Sequence, residues 1–266
     1  MNQNMKKVAV ALLAIVTLGA LRAQEPVRIN STDPMEGDTA IAASIINNYL
    51  SLIDFEHLLT DSVLYVKSSV VERSHSNDTI TILRWYGNRG QNRIEMWQKG
   101  KLNDAYYGDG RKLFRRFSET YRQWRNVSQM SYYDLTMPLD IRGALYNWRS
   151  KGSEAYYQGQ YTYNEHPVWR VFVASPSVYD RNYFFERETG LLFLVTEEDH
   201  IYGNDKVAVN AQKVDWRAWH EFSPFHGVLL PTMESYQVDG QLFIIHHEYE
   251  LLPKNNTYFT ENVYTP

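Results

Sequence analysis

Hydrophobic residues recur at spacings of three and four in the segment that follows Asp38. The apolar positions of this stripe are Ile41, Ile45, Tyr49, Leu52 and Ile53. This period brings the side chains onto one face of a helix, and Asp38 belongs to the residue types that cap a helix N-terminus. The pattern therefore predicts one amphipathic helix with a continuous apolar stripe.

After Thr60 the pattern changes to short runs rich in Val, Ile, Tyr, Phe and Trp, which are separated by Ser, Asn, Asp and Gly. Runs of this kind, joined by tight turns, are typical of antiparallel strands. In the first half of the chain they predict strands over residues 63–74, 79–86, 92–98, 101–107, 112–118 and 123–126. Their regular order indicates an antiparallel meander.

The strand pattern is interrupted near Pro138, a residue that suits the first turn of a helix. Ile141, Leu145 and Trp148 then share one face, and Gly152 can end the segment, so a second, shorter helix is predicted. Strands are predicted again over residues 155–163, 167–174, 181–186, 191–198, 207–219, 228–238 and 242–252.

These elements follow one another without a break in composition, so a single domain is predicted in spite of the length of 266 residues. The apolar stripes of the helices need an apolar surface to cover. One large curved antiparallel sheet supplies that surface. The predicted fold class is therefore mainly β (α+β), with the helices covering the concave face of the sheet.

The first residues have the layout of a secretory signal peptide. Charges at Lys6 and Lys7 precede an apolar run over residues 8–18 and a cleavage site after Ala23. This run is about half of the roughly 20 residues that cross a bilayer, so a membrane-spanning segment is not expected. We predict a signal peptide over residues 1–23, a flexible leader over 24–37 and a periplasmic domain over 38–266.

The composition narrows the function classes. The chain contains no cysteine, so it can carry neither a lipoprotein signal nor a disulfide. Aromatic residues make up 14% of the chain, which favours β-structure with a broad aromatic surface or cavity. The formal net charge is −4, and loss of Lys6, Lys7 and Arg22 with the signal makes the remainder more acidic. Such a domain is not expected to bind nucleic acid.

No motif for covalent chemistry is present. The sequence contains neither a Gly-x-Ser-x-Gly motif nor a cysteine nucleophile. His246 and Glu248 share one face of a predicted strand, but two ligands do not complete a zinc site. We therefore predict a non-enzymatic protein with no catalytic residue, no metal and no cofactor. A glycan-acting envelope enzyme stays an alternative, because distant carboxylates can converge in a cleft.

Four motifs in the second half of the chain occur in a characteristic order. They are Tyr-Phe-Phe-Glu at residues 183–186, Glu-Thr-Gly-Leu-Leu at 188–192, Glu-Glu-Asp at 197–199 and Phe-His-Gly-Val-Leu-Leu-Pro at 225–231. In the first half, residues 92–97 and 101–107, followed by Gly-Asp-Gly-Arg at 108–111, look like a pair of central hairpins. Together these segments resemble the LolA-like outer-membrane lipoprotein carrier family over nearly the whole predicted domain.

The resemblance implies an incomplete β-barrel whose hollow is plugged by helices. In the carriers this hollow is apolar, accepts the acyl chains of a lipoprotein and opens when a helix is displaced. Residues 38–266 are therefore interpreted as a monomeric LolA-like lipid-binding domain, whose partners are the acyl chains of lipids or lipoproteins. The alternative is an envelope sensor or protein-interaction module like the RseB-type regulators, with an envelope protein as its partner.

The resemblance also implies a residue that controls the lid. Carriers often have an Arg-Pro pair before the strand that here begins near Asn92, with an aromatic residue shortly after it. The nearest match is Arg89-Gly90, and Arg93 stands about where the aromatic residue would be. Arg89 is thus the candidate for lid control.

Strand alternation suggests which side chains line the cavity, because successive side chains in a strand point to opposite faces. A shift of one residue in register moves a whole set to the other face. The candidate cavity residues are Ile41, Ile45, Tyr49, Trp85, Ile94, Met96, Tyr106, Phe114, Trp169, Val171, Phe185, Phe193, Phe243 and Ile245.

Overall fold

The computed structural model describes residues 37–73, 79–109, 113–117, 125–126, 141–175, 179–199, 215–238 and 240–260. The predicted signal peptide and all of the predicted leader except its last residue lie outside these ranges. So does the start of the second predicted helix at Pro138.

The helix predicted near the N-terminus is α1 (Thr39–Leu52). The Asp38 carboxylate caps it and accepts hydrogen bonds from the backbone N–H groups of Ala40 and Ile41, at 2.8 and 2.9 Å. Its buried side consists of Ala42, Ala43, Ile45, Ile46 and Tyr49.

Ile41 was predicted to belong to the apolar stripe, and this prediction is wrong. Its side chain is 43% exposed. With 3.6 residues per turn, Ile41 lies about 100° around the helix from the middle of the buried side, next to the exposed residues Ser44 and Asn48. Ile45, Tyr49 and Ile53 of the predicted stripe are buried, and Ala42 and Ile46 complete the buried side.

The strands form one antiparallel sheet, which has 13 strands among the described residues. They are β1 (Ser62–Glu72), β2 (Thr79–Tyr86), β3 (Gln91–Gln98), β4 (Lys101–Asp109), β5 (Leu113–Phe117), β6 (Arg125–Asn126), β7 (Glu154–Tyr163), β8 (His166–Ala174), β9 (Tyr179–Glu186), β10 (Leu192–Asp199), β11 (Trp216–Phe225), β12 (Val228–Val238) and β13 (Gln241–Pro253).

Sheet order follows chain order except at two places. The first strand, β1, pairs with the last, β13, from Ser62 opposite Pro253 to Glu72 opposite Phe243. Strands β6 and β7 form the two edges of the sheet, so the sheet is open. This architecture confirms the predicted fold class, a large antiparallel sheet that forms an incomplete barrel. The described residues contain one α-helix rather than the two that were predicted.

The second predicted helix is wrong over its described part, because residues 141–152 form a series of turns. Gly143 and Asn147 adopt left-handed backbone conformations with φ of 66° and 54°, which interrupt a right-handed helix. The apolar residues of this segment, Ile141, Leu145 and Trp148, are nevertheless buried, so the segment covers the sheet without being helical.

The predicted strand over residues 207–219 also differs from the structure. Residues 200–214 lie outside the described ranges, and β11 continues beyond Trp219 to Phe225. The extension begins at two irregularities of register, between Trp219 and Glu221 and between Glu221 and Phe222, which interrupt the simple alternation of a strand.

The two faces of the sheet are covered by different parts of the chain. We call the face that α1 covers the inner face and the opposite one the outer face. On the inner face, α1 and the 141–152 segment pack on β7 to β11. On the outer face, the C-terminal 3-10 turn Asn256–Phe259 covers β1 to β4, with Phe259 packed near Trp85 and Trp97.

Arg93 fixes the C-terminal segment to the outer face. Its guanidinium donates to the backbone carbonyls of Thr260 at 2.7 Å and Tyr258 at 3.3 Å. It also pairs with Glu95, whose other oxygen accepts from the Trp97 indole at 2.9 Å.

None of the described helices is long and apolar enough to cross a membrane.

We expect Ile46→Ala to destabilise the protein by about 2 to 4 kcal/mol, because it leaves a cavity beneath α1. Ile41→Ala, on the exposed side of the same helix, should change the unfolding free energy by less than about 0.5 kcal/mol. Urea unfolding followed by tryptophan fluorescence measures both. Equal losses would show that the buried side of α1 has been assigned wrongly.

Gly87→Ala should also destabilise the fold, by about 1 to 3 kcal/mol. An added Cβ would lie 2.5 Å from Cζ of Phe259, so the C-terminal segment would have to shift. In a Phe259→Ala background the clash is absent, and the cost of Gly87→Ala should fall. A double-mutant cycle in urea measures this coupling; additive effects would contradict the predicted contact.

Candidate binding site on the inner face

A row of polar side chains crosses the inner face of the sheet. Five adjacent strands, β2, β1, β13, β12 and β11, contribute one residue each. In that order the residues are Arg84, Ser68, His247, Glu234 and Arg217. Ser68 and His247 are direct cross-strand partners, and the other neighbours are diagonal pairs, which are within reach of long side chains. We call this set the polar row.

Short contacts connect the polar row from end to end. Arg84 donates to Ser68 Oγ at 2.5 Å, and Ser68 Oγ lies 2.6 Å from His247 Nδ1. His247 Nε2 lies 3.1 Å from Glu234 Oε1, and Arg217 donates to Glu234 Oε2 at 2.7 Å. Ser68 Oγ accepts from Arg84, and the position of His247 Nε2 beside the Glu234 carboxylate favours the tautomer with the imidazole proton on Nε2, in which the Ser68 hydroxyl donates to Nδ1.

Burial and mutual charge set the protonation of the row. Burial alone would raise the pKa of Glu234, but the Arg217 guanidinium and then His247 outweigh it and lower the pKa to about 2. Burial lowers the pKa of His247 below its ordinary value of 6.5, and attraction by Glu234 offsets this only in part. Glu234 is therefore ionised at neutral pH, paired with the Arg217 cation.

The polar row divides the apolar part of the inner face. On one side lies a cluster that includes Val70, Ile82 and Ile245. On the other side lies a cluster that includes Val66, Tyr86 and Leu230. The inner face is thus not the uniformly apolar hollow that the resemblance implied, because charged groups cross its middle.

A pocket opens beside the C-terminal half of α1. It lies between α1, the 141–152 segment and strands β9 to β11, and its wall includes Tyr49, Leu145, Tyr183 and Trp219. Its volume is about 50 Å³, whereas sites for drug-sized ligands begin near roughly 300 Å³. This pocket therefore does not accommodate an acyl chain in the conformation observed. Of the predicted cavity residues, Tyr49 lines it.

Charged groups stand at the rim of this pocket. Arg181 pairs with Glu197 at 2.7 Å, and Arg142 pairs with Glu56 at 2.9 Å. The Arg142 guanidinium also lies 3.7 Å from the centre of the Tyr146 ring, in cation–π geometry. The pocket joins the polar row through Arg217, which is part of both.

Ser68, His247 and Glu234 together have the residue types of a nucleophile, a base and an acid, but their surroundings do not suit catalysis. Ser68 is completely buried and its oxygen already accepts from Arg84. A nucleophile must reach a substrate carbonyl or phosphoryl group. In this conformation the arrangement serves as an internal hydrogen-bonded network.

The predicted cavity residues of the inner face fall into two separate clusters. Ile45, Tyr49 and Phe185 pack together beneath α1, with Trp169 and Val171 beside them. The other group lies beyond the polar row and consists of Ile94, Met96, Tyr106, Phe243 and Ile245.

Three predicted cavity residues lie on the outer face instead. Trp85 packs in the outer cluster near Phe259. Phe114 stacks on Tyr107, 4.7 Å between ring centres, and Tyr107 pairs with the outer residue Arg93. Phe193 stacks on His166 at 4.9 Å, beside Tyr163. Both faces carry aromatic residues, so alternation alone did not identify which face these three positions belong to.

Arg89 lies exposed in the turn Asn88–Gly90 between β2 and β3. Its backbone is left-handed, with φ of 56°, and no hydrogen bond or ion pair joins it to α1 among the described residues. The buried arginines on this strand pair are Arg84, whose guanidinium belongs to the polar row, and Arg93, which faces the outer side. Control of the lid by Arg89 stays a prediction without a contact that supports it.

His246 and Glu248 lie exposed on the outer side of β13, where Glu248 approaches Lys67 at 3.8 Å. Within the described ranges, no three His, Asp or Glu side chains come together as metal ligands.

Sequence reasoning missed the polar row, although a signal for it exists. Arg84 stands between Ile82 and Tyr86 in the alternation of β2, and His247 stands between Ile245 and Tyr249 in that of β13. A charged residue at an inward position of an alternating strand indicates a buried, partnered group.

Comparison with known proteins shows the fold. The chain resembles the crystal structure of a LolA superfamily protein from Nitrosomonas europaea, with a TM-score of 0.57, 14% identity and coverage of 82% of this chain and 97% of that one. It resembles a putative outer membrane lipoprotein-sorting protein domain from Vibrio parahaemolyticus, with a TM-score of 0.53, 7% identity and coverage of 80% and 93%.

A third solved structure is a DUF1329 family protein from Desulfovibrio piger, with a TM-score of 0.55, 11% identity and coverage of 85% and 98%. No family model and no curated protein matches the sequence. The likeness to the LolA superfamily is therefore one of fold, and at this level the resemblance predicted from the sequence is confirmed.

Replacing Glu234 tests the polar row. Glu234→Gln should destabilise the protein by about 3 to 5 kcal/mol at pH 7, because Arg217 loses its buried counter-charge. Glu248→Gln removes a carboxylate from an exposed pair on the neighbouring strand and should change stability little.

The pH dependence of stability should distinguish the same two variants. A carboxyl group whose pKa is depressed in the folded state stabilises the fold above its ordinary value of 4.5, and this contribution is lost as the pH falls toward 2. In Glu248→Gln the unfolding free energy should still fall as the pH is lowered. In Glu234→Gln it should fall less steeply. Urea unfolding between pH 7 and pH 2 measures it; an unchanged slope in Glu234→Gln would contradict the assigned ion pair.

Proposed function

We propose that this chain is an exported envelope protein that binds the acyl chains of lipids or lipoproteins, without covalent chemistry. The chains would enter between α1 and the inner face of β7 to β11. One observation carries the proposal: α1 covers an aromatic and aliphatic floor, which includes Trp169, Tyr183, Phe185 and Trp219, in the way a removable plug would. The fold shared with the LolA superfamily supports it.

Binding requires α1 to move, because the pocket beside it has a volume of about 50 Å³. Lifting α1 exposes Ile45, Ile46 and Tyr49, with a cost of roughly 5 to 10 kcal/mol. An acyl chain recovers about 0.8 kcal/mol for each methylene that it buries. A chain of about ten or more methylenes therefore offsets the displacement of the helix.

The attachment of α1 suits such movement. Its C-terminal end continues into β1 through residues 53–61, and its N-terminal end touches the sheet through a single β-bridge between Asp38 and Tyr157, with an N–H···O distance of 3.3 Å. The proposal also includes a signal peptide over residues 1–23 and a leader over residues 24–37, as expected of an exported protein that works in the periplasm.

A second candidate is a sensor or protein-interaction module of the same fold. The small pocket and the polar row across the inner face favour this candidate, because side chains already fill the space that an acyl chain would need. In that case an envelope protein would bind the surface and α1 would stay in place.

A disulfide across the bridge separates the two candidates. The chain has no cysteine, so Asp38→Cys with Tyr157→Cys introduces a single thiol pair, at a bridged position where Cα atoms are close enough for a disulfide. We expect the reduced protein to take up a fluorescent long-chain fatty acid and the oxidised protein to take up at least tenfold less, because α1 is then held at both ends.

Uptake of the fatty acid by both forms would contradict displacement of α1. Absence of uptake by both forms, with the unmodified protein equally inactive, would instead favour the interaction module. Circular dichroism of both forms provides the folding control, since loss of the Asp38 cap costs about 1 kcal/mol.

A further inference from the structure

The pocket beside α1 has the size of a polar head group rather than of a chain. A water molecule occupies about 10 to 15 Å³ by the measure in which this pocket has about 50 Å³. The pocket therefore has the size of a carboxylate or a phosphate group. The pocket lies beside Tyr49, next to the floor that α1 covers, so a chain beneath α1 could end here.

One wall of the pocket carries a donor that the protein does not satisfy. Trp219 lines the pocket and is 7% exposed. Its indole Nε1–H is buried and has no hydrogen-bond partner among the described residues. An indole N–H can only donate, and a buried donor without a partner costs free energy. The group that belongs here is therefore a hydrogen-bond acceptor.

The charged side chains that line the pocket indicate which kind of acceptor binds there. Arg142, Arg181 and Arg217 line the pocket, against the single carboxylate of Glu197. The acidic partners of Arg142 and Arg217 are Glu56 and Glu234, which approach from outside the lining. Each of these guanidinium groups is paired with one carboxylate, so the preference does not come from net positive charge. Because guanidinium and indole N–H groups only donate hydrogen bonds, the pocket wall favours an acceptor such as a carboxylate or a phosphate over a cationic group.

We propose that the pocket binds the anionic head group of an acyl ligand, with Trp219 Nε1–H donating to one of its oxygens. This inference rests on the proposed function, because the chain of the same ligand lies beneath α1. The head group is a carboxylate of a fatty acid or a phosphate of a phospholipid, which share oxygen acceptors and negative charge.

Four ligands that carry the same kind of alkyl chain but different head groups test the inference. Isothermal titration of the full chain with dodecanoate, dodecyl phosphate, dodecanol and dodecyltrimethylammonium, below their micelle concentrations, gives the four affinities. We expect at least one of the two anions to bind about tenfold or more tightly than dodecanol, and the cation to bind most weakly. The stronger of the two anions identifies the source of the head group.

Two variants assign the effect to the pocket. Trp219→Phe keeps the ring and removes the N–H, so the affinity for the preferred anion should fall about tenfold while that for dodecanol changes much less. Since this N–H has no partner, its loss should leave the thermal midpoint of the free protein unchanged or raised. Arg142→Gln should weaken anion binding several-fold, and its partner Glu56 is exposed enough to be solvated.

Trp216→Phe is the matched control. Trp216 precedes Arg217 on β11 and therefore faces away from the pocket, where its indole donates to Gln237 at 2.6 Å. It should leave all four affinities unchanged. Equal binding of all four ligands, or equal effects of Trp219→Phe on anion and alcohol, would overturn the inference and leave the proposed function intact. Binding of none of the four would overturn the proposed function as well.

Discussion

Pairing between the first and last strands makes this protein one sheet. The strands β1 to β6 and β7 to β13 are two meanders, each built from neighbouring hairpins. They join only where β1 and β13 run antiparallel over eleven residue pairs, from Ser62 to Glu72 on one side and from Pro253 to Phe243 on the other. The inner face and the outer aromatic surface depend on this ladder, because the polar row runs across it from Arg84 to Arg217 and Leu252 of β13 packs against the outer cluster around Trp85.

The polar row fixes the register of that ladder. Ser68 faces His247 directly, while Val66 and Val70 on either side face Tyr249 and Ile245. A slip by two residues would keep every side chain on its own face but would place Ser68 and His247 opposite apolar partners. Buried polar groups without partners are costly, whereas a purely apolar face tolerates such a slip. The polar row therefore requires charged groups to be buried, and it allows only one alignment of β1 with β13.

Local patterns predicted the strands well, because alternation and turn residues act within a few positions of one another. The ends of β2 at Thr79 and Tyr86 and of β12 at Val228 and Val238 agree with the prediction. The faces were harder to predict, because Trp85 and Trp97 are apolar on the outer side and become buried only under Phe259, far along the chain.

The candidate site shows the same limit. Tyr49 was predicted from the helix period, but Trp219, Arg142 and Arg217 reach the pocket from distant parts of the chain. No local pattern carries that information. Arg84 and His247 were also missed, although their places in the alternation of β2 and β13 were readable, because the residues that they contact lie on other strands.

The position of β13 at the end of the chain has a consequence for synthesis. While the chain grows, β1 offers an unpaired edge, and 168 residues lie between its last residue, Glu72, and the first residue of its partner, Gln241. The aromatic surface around Trp85 stays bare for equally long, since the segment that covers it comes last. Open edges and bare apolar surface are the features by which nascent chains associate wrongly. Until residues 241–259 have been made, the first hairpins therefore stay open to wrong association, and a helper that shields them would serve the chain better than one that acts on the completed fold.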